Sequence, residues 1–387
     1  MKTEAGEAAS TTTTTSSGVL NGEIVKGLST ARSMSLVWQS PPHVIAMIKR
    51  RNDQLVRDKL ISLGRWLMAT YGCTIMVEPA VHADIGEFST WDDSNRSELH
   101  ASIDLIICMG GDGTFLHVSS LFHKAHPPVL AFNFGSLGFL TPFDYDCFRD
   151  DIPKIFTNSH VTLRSRLHCT VHHVNPATVS RPLHVLNEIV VDRGQSPYLS
   201  QIDCYCNDSF ITTVQADGLI VATATGSTAY SVSAGGSIMH PEVPGILFTP
   251  ICPHSLSFRP IIFPDSVTLR LQIPSTFNGS ARITGDGQEN GPVLMPGDSV
   301  SIVISKYPVP CLTLPEAHVA WMRALADCLH WNARVTQRGV PVAPTTTDES
   351  ISRSSHSIMR ASRSAVDLLK QREDGDDGDD DDEQAPQ

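Results

Sequence analysis

Between two polar ends, apolar residues fall into runs whose spacing changes once along the chain. From about residue 41 to 160, short apolar runs alternate with stretches of helical spacing. HVIAMIKR (43–50) predicts a strand ending in charge. QLVRDKLISLGRWLMATYG (54–72) has apolar residues three and four apart and closes on Gly72, which predicts a helix. CTIMVEP, IDLIICMG and PPVLAFNFGS predict three further strands, the second continuous enough to be buried on both faces. Strands alternating with helices predict an α/β domain on a parallel, doubly wound sheet. From about 161 to 315 the runs are short and broken by Gly, Pro, Asn and Asp. TLRSRLHCTVHHV, HVLNEIVVDR, SQIDCYCND, GLIVATAT, SVTLRLQIP, SARITGDGQ and DSVSIVIS predict a mostly antiparallel β domain. Residues 316 to 335 return to amphipathic helical spacing. The expected division is a disordered segment over 1–40, an α/β domain over 41–160 completed by 316–338, a β-rich domain over 161–315, and a disordered acidic tail over 339–387.

Composition sharpens this outline. At 387 residues with 41% hydrophobic content, the chain can build two real cores. It has no run of 18 apolar residues, so no membrane span is expected. The N-terminus lacks the apolar centre of a signal peptide, and Glu4 and Glu7 do not suit a transit peptide. The nine scattered cysteines read as reduced thiols, and the expected compartment is the cytoplasm, with the nucleus as a further location. Cys204 and Cys206 have the spacing of one strand face and are expected to pack. Of the formal charge of −12, nine charges belong to EDGDDGDDDDE (373–383), so the remainder stands at −3. A nearly neutral folded part offers no field for nucleic acid. The tail reads as a solvated, self-repelling segment, with partner binding as the alternative. ARSMS, SRSSHS and MRASRS place Arg before Ser, a spacing that suits phosphorylation but arises easily in polar sequence.

Candidate chemistry gathers at glycine-rich turns. Gly110-Gly111-Asp112-Gly113-Thr114 follows the most apolar strand, and ligands of open α/β sheets bind beyond strand carboxyl ends. Its glycines permit tight turns and close backbone approach. A helix starting there would favour phosphate. The stretch is not a P-loop, for it lacks the lysine. A carboxylate beside polyphosphate can accept a proton from an attacking hydroxyl or hold magnesium; otherwise Asp112 is a turn residue bonding its own backbone. NFGSLGFLTPF (133–143) enters a second Gly loop beside Phe139. Asn187-Glu188 interrupts an apolar strand, which is costly unless both side chains find partners. They mark a strand edge or grip a ligand. DGLIVATATGSTAYSVSAGG (217–236) joins Asp217 to a turn rich in hydroxyls, with Tyr230 as a stacking face. Asp286 in GDGQ suits a ligand or a hairpin turn. Lys49 and Arg50, ending the first strand, could face ATP or solvent. His117, His123 and His126 lack metal-site spacing, and His172 and His173 point to opposite strand faces.

GGDGT, NFGSLGFLTPF, VLNE, the DG before TATGSTAY, and PICPHSLSFRP (250–260) together resemble eukaryotic NAD kinases of the animal and fungal type. The resemblance runs from about Leu36 to Val335, and CLHWNARV fits it. GGDGT alone also occurs in diacylglycerol kinases, sphingosine kinases and phosphofructokinases. VLNE followed by TGSTAY is the specific part. The resemblance implies an α/β ATP-binding domain, a β-rich NAD-binding domain, an active site between them, and a homo-oligomer. It implies phosphorylation of the 2′-hydroxyl of the adenosine ribose of NAD, with Asp112 as general base. It places Gly110, Gly111, Gly113, Thr114 and Thr225 along ATP. It places Asp112, Gly113, Phe139, Asn187, Glu188, Asp217, Thr228, Ala229, Tyr230 and Ser233 around NAD. Lys49 and Asp286 are further candidates. With few acidic ligands visible, Mg²⁺ is expected to arrive with ATP. Two positions depart from the family: Ala224 stands where Pro is usual, and Gly285 where an aromatic often precedes Asp-Gly. Neither removes a chemical group that the reaction needs.

Two other readings compete. A lipid or sphingoid-base kinase would share GGDGT but has no use for Asn187-Glu188 and TGSTAY. A non-catalytic dinucleotide sensor would not need Asp112.

Overall fold

The computed structural model describes residues 22–26, 33–92, 99–135, 137–288, 291–313 and 317–331. The Thr/Ser-rich start, the second half of CLHWNARV and the acidic tail lie outside these residues, as do the Arg-Ser motifs SRSSHS and MRASRS. One large mixed sheet runs in the order Gly22–Lys26, Ser33–Trp38, Ser159–Arg164, Val309–Thr313, Val129–Asn133, Leu105–Met109, Val44–Lys49, Thr74–Val77 and Ser89–Thr90. The last five strands are mutually parallel, and Val309–Thr313 joins Val129–Asn133 in parallel. The first three are antiparallel additions, so the parallel sheet expected from the sequence carries an antiparallel flank.

Alternation along the central strand shows why this sheet is covered twice. Leu105, Ile107 and Met109 join the core built with the helix Gln54–Tyr71, while Ile106 and Cys108 join the core built with the helix Asp112–Leu121. All five residues are fully buried. The helix Gln54–Tyr71 starts where the Asp53 carboxylate accepts the Val56 amide and ends at Gly72, whose φ of 67° suits glycine.

Two six-stranded antiparallel sheets follow. One runs Leu183–Val185, Leu167–His172, Ser299–Ile304, Leu269–Gln272, Ser200–Cys206, Ser209–Ala216; the other Ile261–Pro264, Gly245–Ile251, Gly218–Thr223, Glu188–Asp192, Ala281–Gly285, Val293–Leu294. A single apolar core unites their inner faces, with Ile202, Val221, Phe248, Leu271 and Ile302 fully buried in it. Cys204 is buried in that core and Cys206 packs against it.

Three segments cross the boundaries expected from the sequence. TLRSRLHCTVHHV is two strands: Ser159–Arg164 belongs to the first sheet and Leu167–His172 to the second. Val309–Thr313 returns to the first sheet before the helix Ala317–Leu329 begins. Ser33–Trp38, inside the stretch expected to be unstructured, pairs with Ser159–Arg164 and buries Leu36 and Trp38. Alternation looks the same on either side of a sheet change, so period alone does not locate these crossings.

Candidate active site

Asp112 opens the ten-residue helix Asp112–Leu121, with Gly111 as its N-cap. Gly110 continues the preceding strand, its amide bonding the Phe132 carbonyl at 3.1 Å. Gly113 and Thr114 form the first turn, where backbone N–H groups and the helix dipole favour an anion. The Asp112 side chain is held by a second loop. Its Oδ2 accepts the Phe139 amide at 3.1 Å and its Oδ1 accepts the Leu140 amide at 3.0 Å. Each carboxylate oxygen keeps a further lone pair. The approach is close because residue 138 is glycine.

Leu186 brings the second domain to this helix. It is fully buried in one apolar cluster with Phe115 and Val118 of the Asp112 helix. Asn187 and Glu188 follow directly. Their backbone is organised by Asp286, whose carboxylate accepts the amides of Leu186 and Asn187 at 2.7 Å each and of Glu188 at 3.3 Å. Asp286 sits in the hairpin turn after Ala281–Gly285 with φ of 49°, and its own amide bonds the Glu188 carbonyl. Asp286 therefore acts through the Asn187-Glu188 backbone.

Glu188 is 6% exposed, and its Oε2 has no hydrogen-bond partner. Burial, reinforced by the charge of Asp286, pushes its carboxyl up to about 7, against a hydrogen bond from the Tyr230 backbone. Burial likewise raises Asp286 to about 6, although its three backbone bonds and Arg166 oppose this. A buried carboxyl oxygen without a partner is costly, and a ligand hydroxyl or amide would satisfy it.

The TGSTAY turn stands on the same backbone. Thr223 bonds both sides of it, its amide to the Asn187 carbonyl at 2.9 Å and its hydroxyl to the Leu186 carbonyl at 2.6 Å. A Cβ on Gly226 would lie 2.2 Å from the Asn187 carbonyl oxygen, so the contact requires glycine. Thr225 is buried; the Thr228 hydroxyl bonds the Thr225 carbonyl at 3.3 Å. Ala229 is half-buried, while Tyr230 and Ser233 are exposed. Burial raises the Tyr230 phenol, and Asp192, Cys252, Asp217 and Glu188 add to the rise. The Asp217 carboxylate itself pairs with Arg193 at 2.7 Å. Ala224 causes no break, since it packs with Val190 and Ile220.

Lys49 ends its strand beside Met109, the residue before Gly110. Its side chain is buried, and its Nζ donates to the Arg50 carbonyl at 3.3 Å. Arg50 lies against Gly110 through its Cβ, and its guanidinium pairs with Asp53. His172 bonds Ser301 and His173 bonds Asp298, each at a strand of the β sandwich. Among the described residues no group of three or more His, Cys, Asp or Glu side chains could hold a metal ion.

Two arginines of the LRSR stretch complete the site and were not singled out by sequence. Arg164 donates to the Phe139 carbonyl at 3.2 Å and to the Thr225 hydroxyl at 3.4 Å. Arg166, fully buried, donates to the carbonyls of Ser119, Phe122, Lys124 and Tyr307. Burial lowers its guanidinium to about 10, with Asp286 opposing. Their signal was two cations two positions apart between the apolar residues Leu163 and Leu167. Beside Arg164 opens a small cleft of about 50 Å³ bordered by Phe139, Thr162, Glu242 and Trp321.

A glycine-turn carboxylate at a helix N-terminus, joined to a β domain that carries an unpartnered buried carboxyl, defines a two-domain nucleotide-binding protein. The profile "ATP-NAD kinase N-terminal domain" matches residues 45–160, and "ATP-NAD kinase C-terminal domain" matches residues 186–314. The chain belongs to the ATP-NAD kinase family. It is 43% identical over 317 residues to "NAD kinase 2, chloroplastic" of Arabidopsis thaliana, covering 79% of this chain and 32% of that one. It is 34% identical over 308 residues to "NADH kinase pos5, mitochondrial" of Schizosaccharomyces pombe, covering 79% of each. The crystal structure of yeast NADH kinase complexed with NADH aligns with TM-score 0.74 at 32% identity, over 83% of this chain and 97% of that chain. An NAD kinase from Archaeoglobus fulgidus, solved with ATP, shares the fold at TM-score 0.55 and 22% identity, over 73% of this chain and 99% of that one. The chain spans 66%, 62% and 32% of the length of three rice proteins named as NAD kinases. No helix among the described residues is long and apolar enough to cross a membrane.

Proposed function

We propose that this chain transfers the γ-phosphoryl group of ATP to the 2′-hydroxyl of the adenosine ribose of NAD, giving NADP and ADP. The 2′ oxygen bonds the γ-phosphorus as the bond from that phosphorus to the β–γ bridging oxygen breaks. Asp112 takes the proton of the hydroxyl. The observation that carries this reading is the Asp112 carboxylate, pinned by two amides at a glycine-rich helix N-terminus one residue contact from the Asn187-Glu188 strand. Gly110, Gly111, Gly113, Thr114 and Thr225 are assigned to ATP. Phe139, Asn187, Glu188, Asp217, Thr228, Ala229, Tyr230 and Ser233 are assigned to NAD. Lys49 offers its cation to the same loop edge. Mg²⁺, when bound with ATP, neutralises polyphosphate charge.

The unpartnered Glu188 oxygen favours a polar, hydroxyl-bearing acceptor over a lipid. The intact Asp112 favours an enzyme over a sensor. The cytoplasm is the proposed compartment, to be read from the location of a fluorescent fusion of the full chain. A homo-oligomer is the proposed assembly, to be read from light scattering on the purified chain.

The test is steady-state NADP formation by the full chain, with NAD, NADH, ATP and inorganic polyphosphate in separate arms. Asp112→Asn should lose roughly 100- to 10,000-fold in kcat. NAD should still bind by calorimetry, because asparagine keeps the size of the side chain and one of its two acceptor oxygens. Asp112→Asn activity within threefold of wild type would falsify the base assignment.

A further inference from the structure

We propose that Arg164 is a positioning residue that couples the Asp112 carboxylate to the TGSTAY turn. This inference rests on the reading of Asp112 as general base.

Arg164 is the last residue of Ser159–Arg164 and is only 8% exposed. Its side chain leaves the strand on the same face as Thr162 and reaches across the domain junction. One Nη donates to the Phe139 carbonyl, the other to the Thr225 hydroxyl. Phe139 is thus engaged at both ends of its backbone. Its amide donates to Asp112 and its carbonyl accepts from Arg164. Thr225 starts the turn whose next residue, Gly226, packs on the Asn187 carbonyl. A single guanidinium therefore touches the loop that holds the base and the turn that stands on the Asn187-Glu188 backbone.

The choice of arginine has a physical reason. A planar fork reaches two oxygens in fixed geometry, whereas a lysine ammonium on a flexible stem does not. Burying a guanidinium on two neutral oxygens also costs free energy that packing alone does not require. Positioning is where such a cost returns as rate, since small errors in alignment of reacting groups are expensive. The link predicts an effect on kcat through Asp112 and little effect on the affinity for NAD.

The experiment is a double-mutant cycle in the full chain, with single-turnover rates from Mg-ATP and NAD, NAD affinity by calorimetry, and thermal melting. Arg164→Lys and Arg164→Met should each lower the rate about 10- to 100-fold, with NAD affinity within about threefold. In the Asp112→Asn background the same changes should cost less than about threefold, because the group being positioned is gone. If Arg164→Met fails to fold, Arg164→Lys carries the test alone. An unchanged rate, or a loss confined to KM, overturns the proposal. So does a full additive loss in an Asp112→Asn enzyme that is itself slow, and that result leaves the base assignment standing. Full activity of Asp112→Asn alone removes the base assignment and the coupling with it.

Discussion

A Cβ placed on Gly138 would lie 2.3 Å from the Oδ1 atom of Asp112. Real carbon atoms do not approach that closely, so the side chain of residue 112 and the backbone of residue 138 fit only because the latter is glycine. The Thr141 hydroxyl, 2.8 Å from the same point, closes the other escape. Gly138→Ala should displace the carboxylate from the Phe139 and Leu140 amides while leaving both cores intact. We expect kcat to fall about 10- to 100-fold, with a melting temperature close to wild type. Kinetics and circular dichroism on one preparation check this. A wild-type kcat in a folded Gly138→Ala protein would show that the carboxylate need not sit where it does.

Asp286 collects three amides on one carboxylate. Asparagine keeps one carbonyl oxygen, so Asp286→Asn leaves at least one buried amide short of an acceptor. The cost should be about 1–3 kcal/mol of stability. Because those amides belong to Leu186, Asn187 and Glu188, NAD affinity should weaken by roughly tenfold, equivalent to about 1.4 kcal/mol. Calorimetric titration of NAD into the folded variant decides the point; unaltered affinity would make Asp286 a turn residue only.

Glu188 gives the chain a specific dependence on pH. Its folded value of about 7 lies above its ordinary value of 4.5. Between these values the folded protein binds more protons than the unfolded chain, so stability falls as pH rises through that window. The penalty is absent below 4.5 and complete above 7, on the order of 3 kcal/mol at most from the size of the shift. Asp286, raised to about 6, adds in the same direction from 3.8 upward. Glu188→Gln should flatten the decline in melting temperature across pH 4.5 to 7. A slope equal to wild type would place the titration elsewhere.

Arg166 fixes the other end of the Asp112 helix. Its guanidinium takes the carbonyls of Ser119 and Phe122 at that helix end and of Lys124 just beyond, where the dipole favours a cation. Arg166→Met would strand those carbonyls in a dry interior. The expected loss is about 3 kcal/mol or more, seen as a melting temperature lower by roughly 5 °C or more. A drop under about 2 °C would mean that water replaces the guanidinium freely.

Much of this organisation is legible along the chain. The run at Leu105–Met109 announces a strand covered on both faces, and it is fully buried between two apolar clusters. Gly110 to Thr114 follow it at a strand end, where a helix start was expected and is found. The flank at Ser33–Trp38 escaped notice because six residues in a polar neighbourhood become a strand only by pairing with Ser159–Arg164. Arg50 illustrates the reverse case: its cation stood at the right strand end but is taken by Asp53, a neighbour whose capping geometry the pattern does not display.

Periodicity and turn chemistry are local properties, so the amino-acid order by itself determined the strands and helices, the glycine turns, and the chemical identity of Asp112, Asn187 and Glu188. Which strands share a sheet, and which distant groups meet, depends on contacts made across the chain. Only the tertiary structure decided that the Phe139 and Leu140 amides grip Asp112, that Asp286 serves the backbone of Asn187, and that Arg164 bridges Phe139 to Thr225. Those bonds join residues 25 to 99 positions apart, and no local pattern records which carbonyl or amide a buried side chain will reach.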